Sequence, residues 1–83
     1  MRLLYFAWLK TLTGLAEEDV ELPAGVKDVG GLVAWLKTRD GGFARAFADE
    51  AAIRVAVNQE YARADHPIRA GDEIAFFPPV TGG

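Results

Sequence analysis

Val29, Leu32, Val33 and Leu36 fall at i, i+3, i+4 and i+7, and this single apolar stripe sets what the chain can fold into. Asp28 stands where an N-cap belongs, with a charge that suits a helix N-terminus. Lys37 and Arg39 complement the other end, and Gly41-Gly42 stops the helix. Gly30 and Gly31 each lower helix stability by about 1 kcal/mol relative to Ala, and no sequence pattern accounts for them. Phe43 and Phe47, one turn apart, predict a short second helix capping the core. In 83 residues, which make one domain, one main helix covers only one face of a sheet. The expected architecture is therefore two-layer α+β.

The rest of the chain reads as strands and turns. Leu3 to Leu9, short and rich in aromatics, predicts a central strand. Thr11-Leu12-Thr13-Gly14 predicts a turn. Glu17, Asp19 and Glu21 alternate with Val20 and Leu22, the period of a half-buried strand, and Pro23-Ala24-Gly25 ends it. These two strands form a hairpin with a long connection. Ile53, Val55 and Val57 give a third strand, followed by a turn at Asn58-Gln59-Glu60 and a short edge strand around Tyr61. Asp65-His66-Pro67 and Ala70-Gly71-Asp72 are turns, and Glu73 to Phe77 makes the last strand. Pro78-Pro79 then forbids further ladder pairing. A mixed sheet of four to five strands gripping one helix is the β-grasp arrangement. It spans residues 1–77, with 78–83 as an extended tail.

Composition excludes several classes of function. Nine Lys and Arg against twelve Asp and Glu give a net charge of −3, with the cations scattered singly, which argues against nucleic acid. The absence of cysteine rules out disulfides, a thiolate nucleophile and zinc ribbons. The run Leu3 to Leu9 is far short of the roughly 20 residues of a bilayer span and lacks a signal-peptide cleavage pattern. A cytoplasmic chain with no membrane contact is the expectation.

If Leu3, Tyr5, Ala7 and Leu9 face the helix with Val20, Leu22, Val55, Val57, Ile74 and Phe76, the core is already full. The opposite face then presents Leu4, Phe6, Trp8, Ala56, Ala75 and Phe77. Contiguous exposed apolar surface marks association, so this face is expected to bind a partner. The chain ends Phe77-Pro78-Pro79-Val80-Thr81-Gly82-Gly83. Diproline stiffens the exit from the sheet, and two glycines without Cβ atoms fit a narrow channel. A terminal carboxylate activated by ATP becomes an acyl-adenylate. Without cysteine, carried sulfur would sit there as a thiocarboxylate.

At these residues the sequence resembles the small, sulfur-carrier subunits of molybdopterin synthase, the MoaD type within the ubiquitin-like β-grasp proteins. The resemblance rests on Leu4-Tyr5-Phe6-Ala7 with Lys10, on Leu22-Pro23-Ala24-Gly25 followed by Val29 and Leu32, on Ala56-Val57-Asn58-Gln59, and above all on the run from Gly71 to Gly83. Trp8 is bulkier than the polar residue often found there, and Gly30-Gly31 is an unusual helix start. The resemblance implies a carrier rather than a self-sufficient catalyst, with no bound cofactor or metal. A ubiquitin-activating-like adenylyltransferase would use ATP to adenylate Gly83, and a sulfur donor would convert it to a thiocarboxylate. The carrier would dock on the synthase large subunit in a heterotetramer, through Phe6, Trp8, Lys10, Ala75, Phe77 and Pro78. Pro79, Val80, Thr81 and Gly82 would enter the partner's active site, where sulfur passes to a cyclic pyranopterin monophosphate.

Two alternatives stand beside this one. A sister carrier for thiamine synthesis or tRNA thiolation would keep the tail chemistry and change the acceptor. A non-catalytic ubiquitin-like interaction domain would have no tail chemistry. His66, the only histidine, precedes a proline in a turn and has no second ligand or nucleophile placed with it. Glu17, Glu18, Asp19 and Glu21 read as a solvated face rather than a cation site. Trp35, at helical spacing, reads as core or core edge rather than a stacking platform.

Overall fold

A computed structural model describes residues 1–79. The chain runs β1 (Arg2–Tyr5), α1 (Trp8–Thr13), β2 (Glu17–Asp19), α2 (Val29–Lys37), α3 (Phe43–Ala46), a 3-10 turn (Glu50–Ala52), β3 (Arg54–Val57), β4 (Glu60–Ala62) and β5 (Glu73–Phe77). The strands form one sheet in the order β2-β1-β5-β3-β4. β1 lies antiparallel to β2 and parallel to β5, and β3 lies antiparallel to both β5 and β4. This is the mixed, helix-gripping sheet that the sequence predicts.

α2 forms as its stripe requires. Val29, Leu32, Val33 and Leu36 are all buried, and the Gly31 amide donates to Asp28 Oδ1 at 2.8 Å. The geometry also explains Gly30. Its amide donates to the Ala64 carbonyl at 2.8 Å, and a Cβ there would stand 3.2 Å from the same oxygen. The chain after β4 thus crosses the start of α2 at a distance only glycine meets without displacement. Beneath the sheet, the Tyr5 ring stacks on Phe76 at 5.7 Å, and Phe47 meets Phe76 edge-on at 5.0 Å. Edge-to-face and offset pairs of this kind add to the apolar burial itself.

The first predicted strand is corrected. It ends at Tyr5, and Trp8–Thr13 is a helix where the sequence suggests strand and then turn. The bend is at Ala7, with φ 54° and ψ −130°, where the Leu9 amide donates back to the Phe6 carbonyl at 3.1 Å. Past that bend Leu9 and Thr13, four residues apart, point into the core, and Gly14 closes the helix in the left-handed region. An aromatic run therefore served two elements. Ala7 is exposed and Trp8 packs half-buried against the core, so neither holds the strand position expected of it.

β2 is shorter than its alternation predicts, stopping at Asp19, although Val20 and Leu22 still pack against the core. The acidic face is corrected at Glu18. This residue lies opposite Leu3, on the helix side of the sheet, and its carboxylate accepts from Arg39 Nη1 at 2.7 Å, Arg39 Nη2 at 3.1 Å and the Tyr5 hydroxyl at 2.7 Å. Glu17, by contrast, is exposed and paired with Arg2. Ile68, which the sequence leaves in a turn region, is a buried core residue.

Candidate docking face and tail exit

The pleat of β5 divides its residues as the sequence predicts. Ile74 and Phe76 are buried under the sheet, while Glu73, Ala75 and Phe77 face outward, half-buried. Register places Leu4 and Ala56 on either side of Ala75, and Tyr61 beyond Ala56. These four residues share the outer face. One pleat further along, Phe77 lies opposite Arg54, and the Phe6 amide donates to the Phe76 carbonyl at 3.1 Å, which brings Phe6 alongside the end of β5. Phe6 is 49% exposed and Tyr61 76% exposed. The Tyr61 and Phe77 rings lie 5.8 Å apart.

The apolar and charged ends of this face are separate. The far end carries Arg2 paired with Glu17, with Asp19 and Glu73 in the same cross-strand row. The near end carries the aromatics, and there the chain leaves the ladder through half-buried Pro78 and Pro79. An apolar patch with aromatic anchors of this kind is suited to seating a partner.

Of the expected interface residues, Phe6, Ala75, Phe77 and Pro78 gather at this end. Lys10 is exposed on α1, and Trp8, on the same helix, is half-buried and packs against the core. Tyr61 belongs to the patch and was absent from the expected set; its signal was an exposed aromatic on an edge strand just after the Asn58-Gln59 turn. Pro79 is at the exit, while Val80, Thr81, Gly82 and Gly83 lie outside the described residues. His66 is exposed, and among the described residues no group of three or more His, Cys, Asp or Glu is placed to hold a metal ion.

The strongest perturbation of titrating groups is on the opposite side of the sheet, in the Tyr5–Glu18–Arg39 cluster. Burial and the adjoining Glu18 carboxylate push the Tyr5 hydroxyl well above the ordinary tyrosine range. Burial also opposes ionisation of Glu18, but hydrogen bonds from Arg39 and Tyr5 outweigh it and hold the carboxyl below its usual range. The Arg39 guanidinium lies 4.3 Å from the Phe43 ring centroid and 5.2 Å from that of Trp35. This cluster ties β1 and β2 to the end of α2 and is structural.

One sheet gripping one helix, with an apolar outer face at the root of a C-terminal extension, defines a ubiquitin-like β-grasp protein. The chain belongs to the ThiS family, whose model matches residues 3–83. It is 37% identical over 83 residues to the molybdopterin synthase sulfur carrier subunit of Escherichia coli (strain K12), covering 100% of this chain and 99% of that one. Among solved structures, molybdopterin converting factor subunit 1 from Pyrococcus furiosus superposes with a TM-score of 0.76 at 32% identity, covering 95% of each chain. SAMP1 from Haloferax volcanii superposes with a TM-score of 0.72 at 30% identity, covering 99% of this chain and 97% of the other. No helix among the described residues is long and apolar enough to cross a membrane.

Proposed function

We propose that this chain is the sulfur carrier of molybdopterin synthase and works as the small subunit of that complex. The observation that carries the reading is the apolar outer face of Phe6, Ala75 and Phe77, which opens onto Pro78-Pro79 and the sequence Val80-Thr81-Gly82-Gly83. Membership of the family supports it.

The chemistry follows from a terminal carboxylate. An oxygen of the Gly83 carboxylate attacks the α-phosphorus of ATP on a ubiquitin-activating-like adenylyltransferase, and pyrophosphate leaves. Hydrosulfide delivered by a sulfur donor attacks the acyl carbon, and AMP leaves, so that the C-terminus becomes a thiocarboxylate. The large subunit then binds the outer face, with one carrier at each end of a large-subunit dimer. Pro79, Val80, Thr81 and Gly82 thread into the large subunit's active site, where the thiocarboxylate sulfur attacks a carbon of the cyclic pyranopterin monophosphate and displaces an oxygen leaving group, joining carrier and pterin as a thioester. Water then attacks the Gly83 acyl carbon and the acyl C–S bond breaks, so that sulfur stays on the pterin and the carboxylate is free for another cycle. The carrier contributes reach and placement, while the partner's pocket supplies proximity and charge stabilisation. ATP-dependent loading and a cysteine-free sequence fit the cytoplasm.

The test is reconstitution. Purified chain, activating enzyme, ATP, sulfur source and large subunit should together convert the pterin precursor, with turnover lost when Gly83 is removed. Conversion by the truncated chain would overturn the reading. Co-purification separates it from the sister pathways: the synthase large subunit is expected, whereas a thiazole synthase or a tRNA-thiolating enzyme would assign the carrier elsewhere.

A further inference from the structure

The chain has six aspartates, and Asp40 is the one followed by glycine. The others precede Val20, Val29, Glu50, His66 and Glu73, and the single asparagine precedes Gln59. The following residue decides whether such a side chain can close on the main chain. Its amide nitrogen is the nucleophile, and its Cβ, which glycine lacks, obstructs the approach. Several of the others are also held in place. Asp28 Oδ1 accepts from the Gly31 amide at 2.8 Å, and Asp72 accepts from Asn58 Nδ2 at 3.0 Å and from the Arg69 amide at 2.8 Å. Asn58 Oδ1 in turn accepts from the Glu73 amide at 3.0 Å.

Asp40 and Gly41 lie in the turn between α2 and α3, and both are exposed. Among the described residues the Asp40 carboxylate makes no ion pair or side-chain hydrogen bond. The Gly41 amide donates to no main-chain carbonyl among them. Gly41 has φ +80° and nothing within 4 Å of the place a Cβ would take. Both reacting groups are therefore unengaged, with open space around them.

We propose that Asp40–Gly41 is a modification site, at which the folded chain converts to an isoaspartyl form by way of a succinimide. The Gly41 nitrogen attacks Cγ of the protonated Asp40 carboxyl. A C–N bond forms, the amide proton and the carboxyl hydroxyl leave as water, and a cyclic imide closes. Water then attacks the main-chain carbonyl carbon of residue 40. The bond from that carbon to the Gly41 nitrogen breaks, the nitrogen regains a proton, and the α-carboxylate is set free. The main chain now runs through Cβ and Cγ and is longer by one carbon, at unchanged mass.

The residues on either side are anchored. Arg39 is held by Glu18 at 2.7 and 3.1 Å, and a Cβ on Gly42 would lie 2.1 Å from the Leu12 carbonyl oxygen. A longer link between these two points pulls on the Arg39 tie and on the junction of α1 with α3. The isoaspartyl form is thus a less stable protein with a new exposed carboxylate.

The test holds the full chain at neutral pH, well below its melt, beside the acetylated, amidated peptide of residues 38–43. Electron-transfer fragmentation, which separates the two linkages, and methyl transfer from S-adenosylmethionine by an isoaspartyl methyltransferase read the product. Isoaspartate at residue 40 should grow with time in the wild type and be absent from Asp40→Glu, whose longer side chain cyclises far more slowly. Isomerisation of the peptide but not of the folded chain would overturn the proposal, as would equal methyl transfer to Asp40→Glu. The isomer, separated by chromatography, should melt about 4–8 °C below the starting chain, the shift that loss of one such tie brings to a domain of this size. An unchanged Tm would overturn the structural consequence.

Discussion

Phe77 on β5 and Tyr61 on β4 hold their rings 5.8 Å apart at a tilt of 38°, although β3 runs between their strands. Phe77 lies opposite Arg54 and Tyr61 opposite Ala56, so the two rings approach on a diagonal across β3, past the small side chain of Ala56, which is itself 8% exposed. The result is an aromatic ledge immediately before Pro78-Pro79.

Phe77 should therefore matter more to docking than to folding. Phe77→Ala is expected to weaken large-subunit binding at least about tenfold, the usual scale for a buried aromatic anchor, and Phe77→Asp more. The fold should lose only about 1 kcal/mol, because the ring is partly exposed and outside the core. Titration calorimetry with the large subunit, beside thermal melts, gives both numbers. Unchanged affinity would remove this face from the interface.

Ala7 occupies a backbone region that favours glycine, with φ 54° and ψ −130°. Strain of this kind costs roughly 1–3 kcal/mol, and glycine relieves it while adding somewhat less than 1 kcal/mol of unfolded-chain entropy. Ala7→Gly should raise stability by about 1 kcal/mol and the Tm by about 4–8 °C. A lower Tm would show that the bend between β1 and α1 is unstrained.

Gly42 makes the tightest approach of any glycine among the described residues. Its φ is +96°, and a Cβ there would lie 2.1 Å from the Leu12 carbonyl oxygen, where the end of α1 meets the start of α3. Gly42→Ala should cost several kcal/mol, on the order of the whole stability of so small a domain. Gly41, at φ +80° with open space around it, is the control, and its replacement by Ala should cost about 1 kcal/mol. Denaturant melts of the two variants check the contrast, and equal losses would contradict the close approach.

Much of this was legible in advance, and the misses share a cause. The α2 stripe, β5, the Asn58-Gln59 turn and the outward phase of Phe77 follow from periodicity and turn chemistry in segments that serve one element each. The run from Leu3 to Leu9 serves two, because a bend at a non-glycine residue leaves no mark in a hydrophobicity pattern. Glu18 read as solvent-facing because its pairing is with Arg39, 21 residues away, and with Tyr5 on the neighbouring strand. Likewise the need for Gly30 comes from Ala64, which only the folded chain brings near. Tyr61 was visible as an edge-strand aromatic, but its contact with Phe77 required the strand order.

Glu18 also makes a pH prediction. Its carboxyl is depressed in the folded chain, so its contribution is complete above the ordinary glutamate range and is lost as pH falls through the folded value. Wild-type stability should therefore fall more steeply on acidification below about pH 4.5 than that of Glu18→Gln, which lacks the titrating group. Urea midpoints measured from pH 6 down to pH 3 test this. Parallel curves for the two proteins would contradict it.

The most direct measurement of the central claim is the intact mass of the chain after incubation with activating enzyme, ATP and a sulfur source. The expected result is a gain equal to exchange of one oxygen for sulfur, located on Gly83 by fragmentation, and absent from a chain lacking Gly83 that melts at the same temperature. An unchanged mass, under conditions where the same enzymes load a proven carrier, would contradict it.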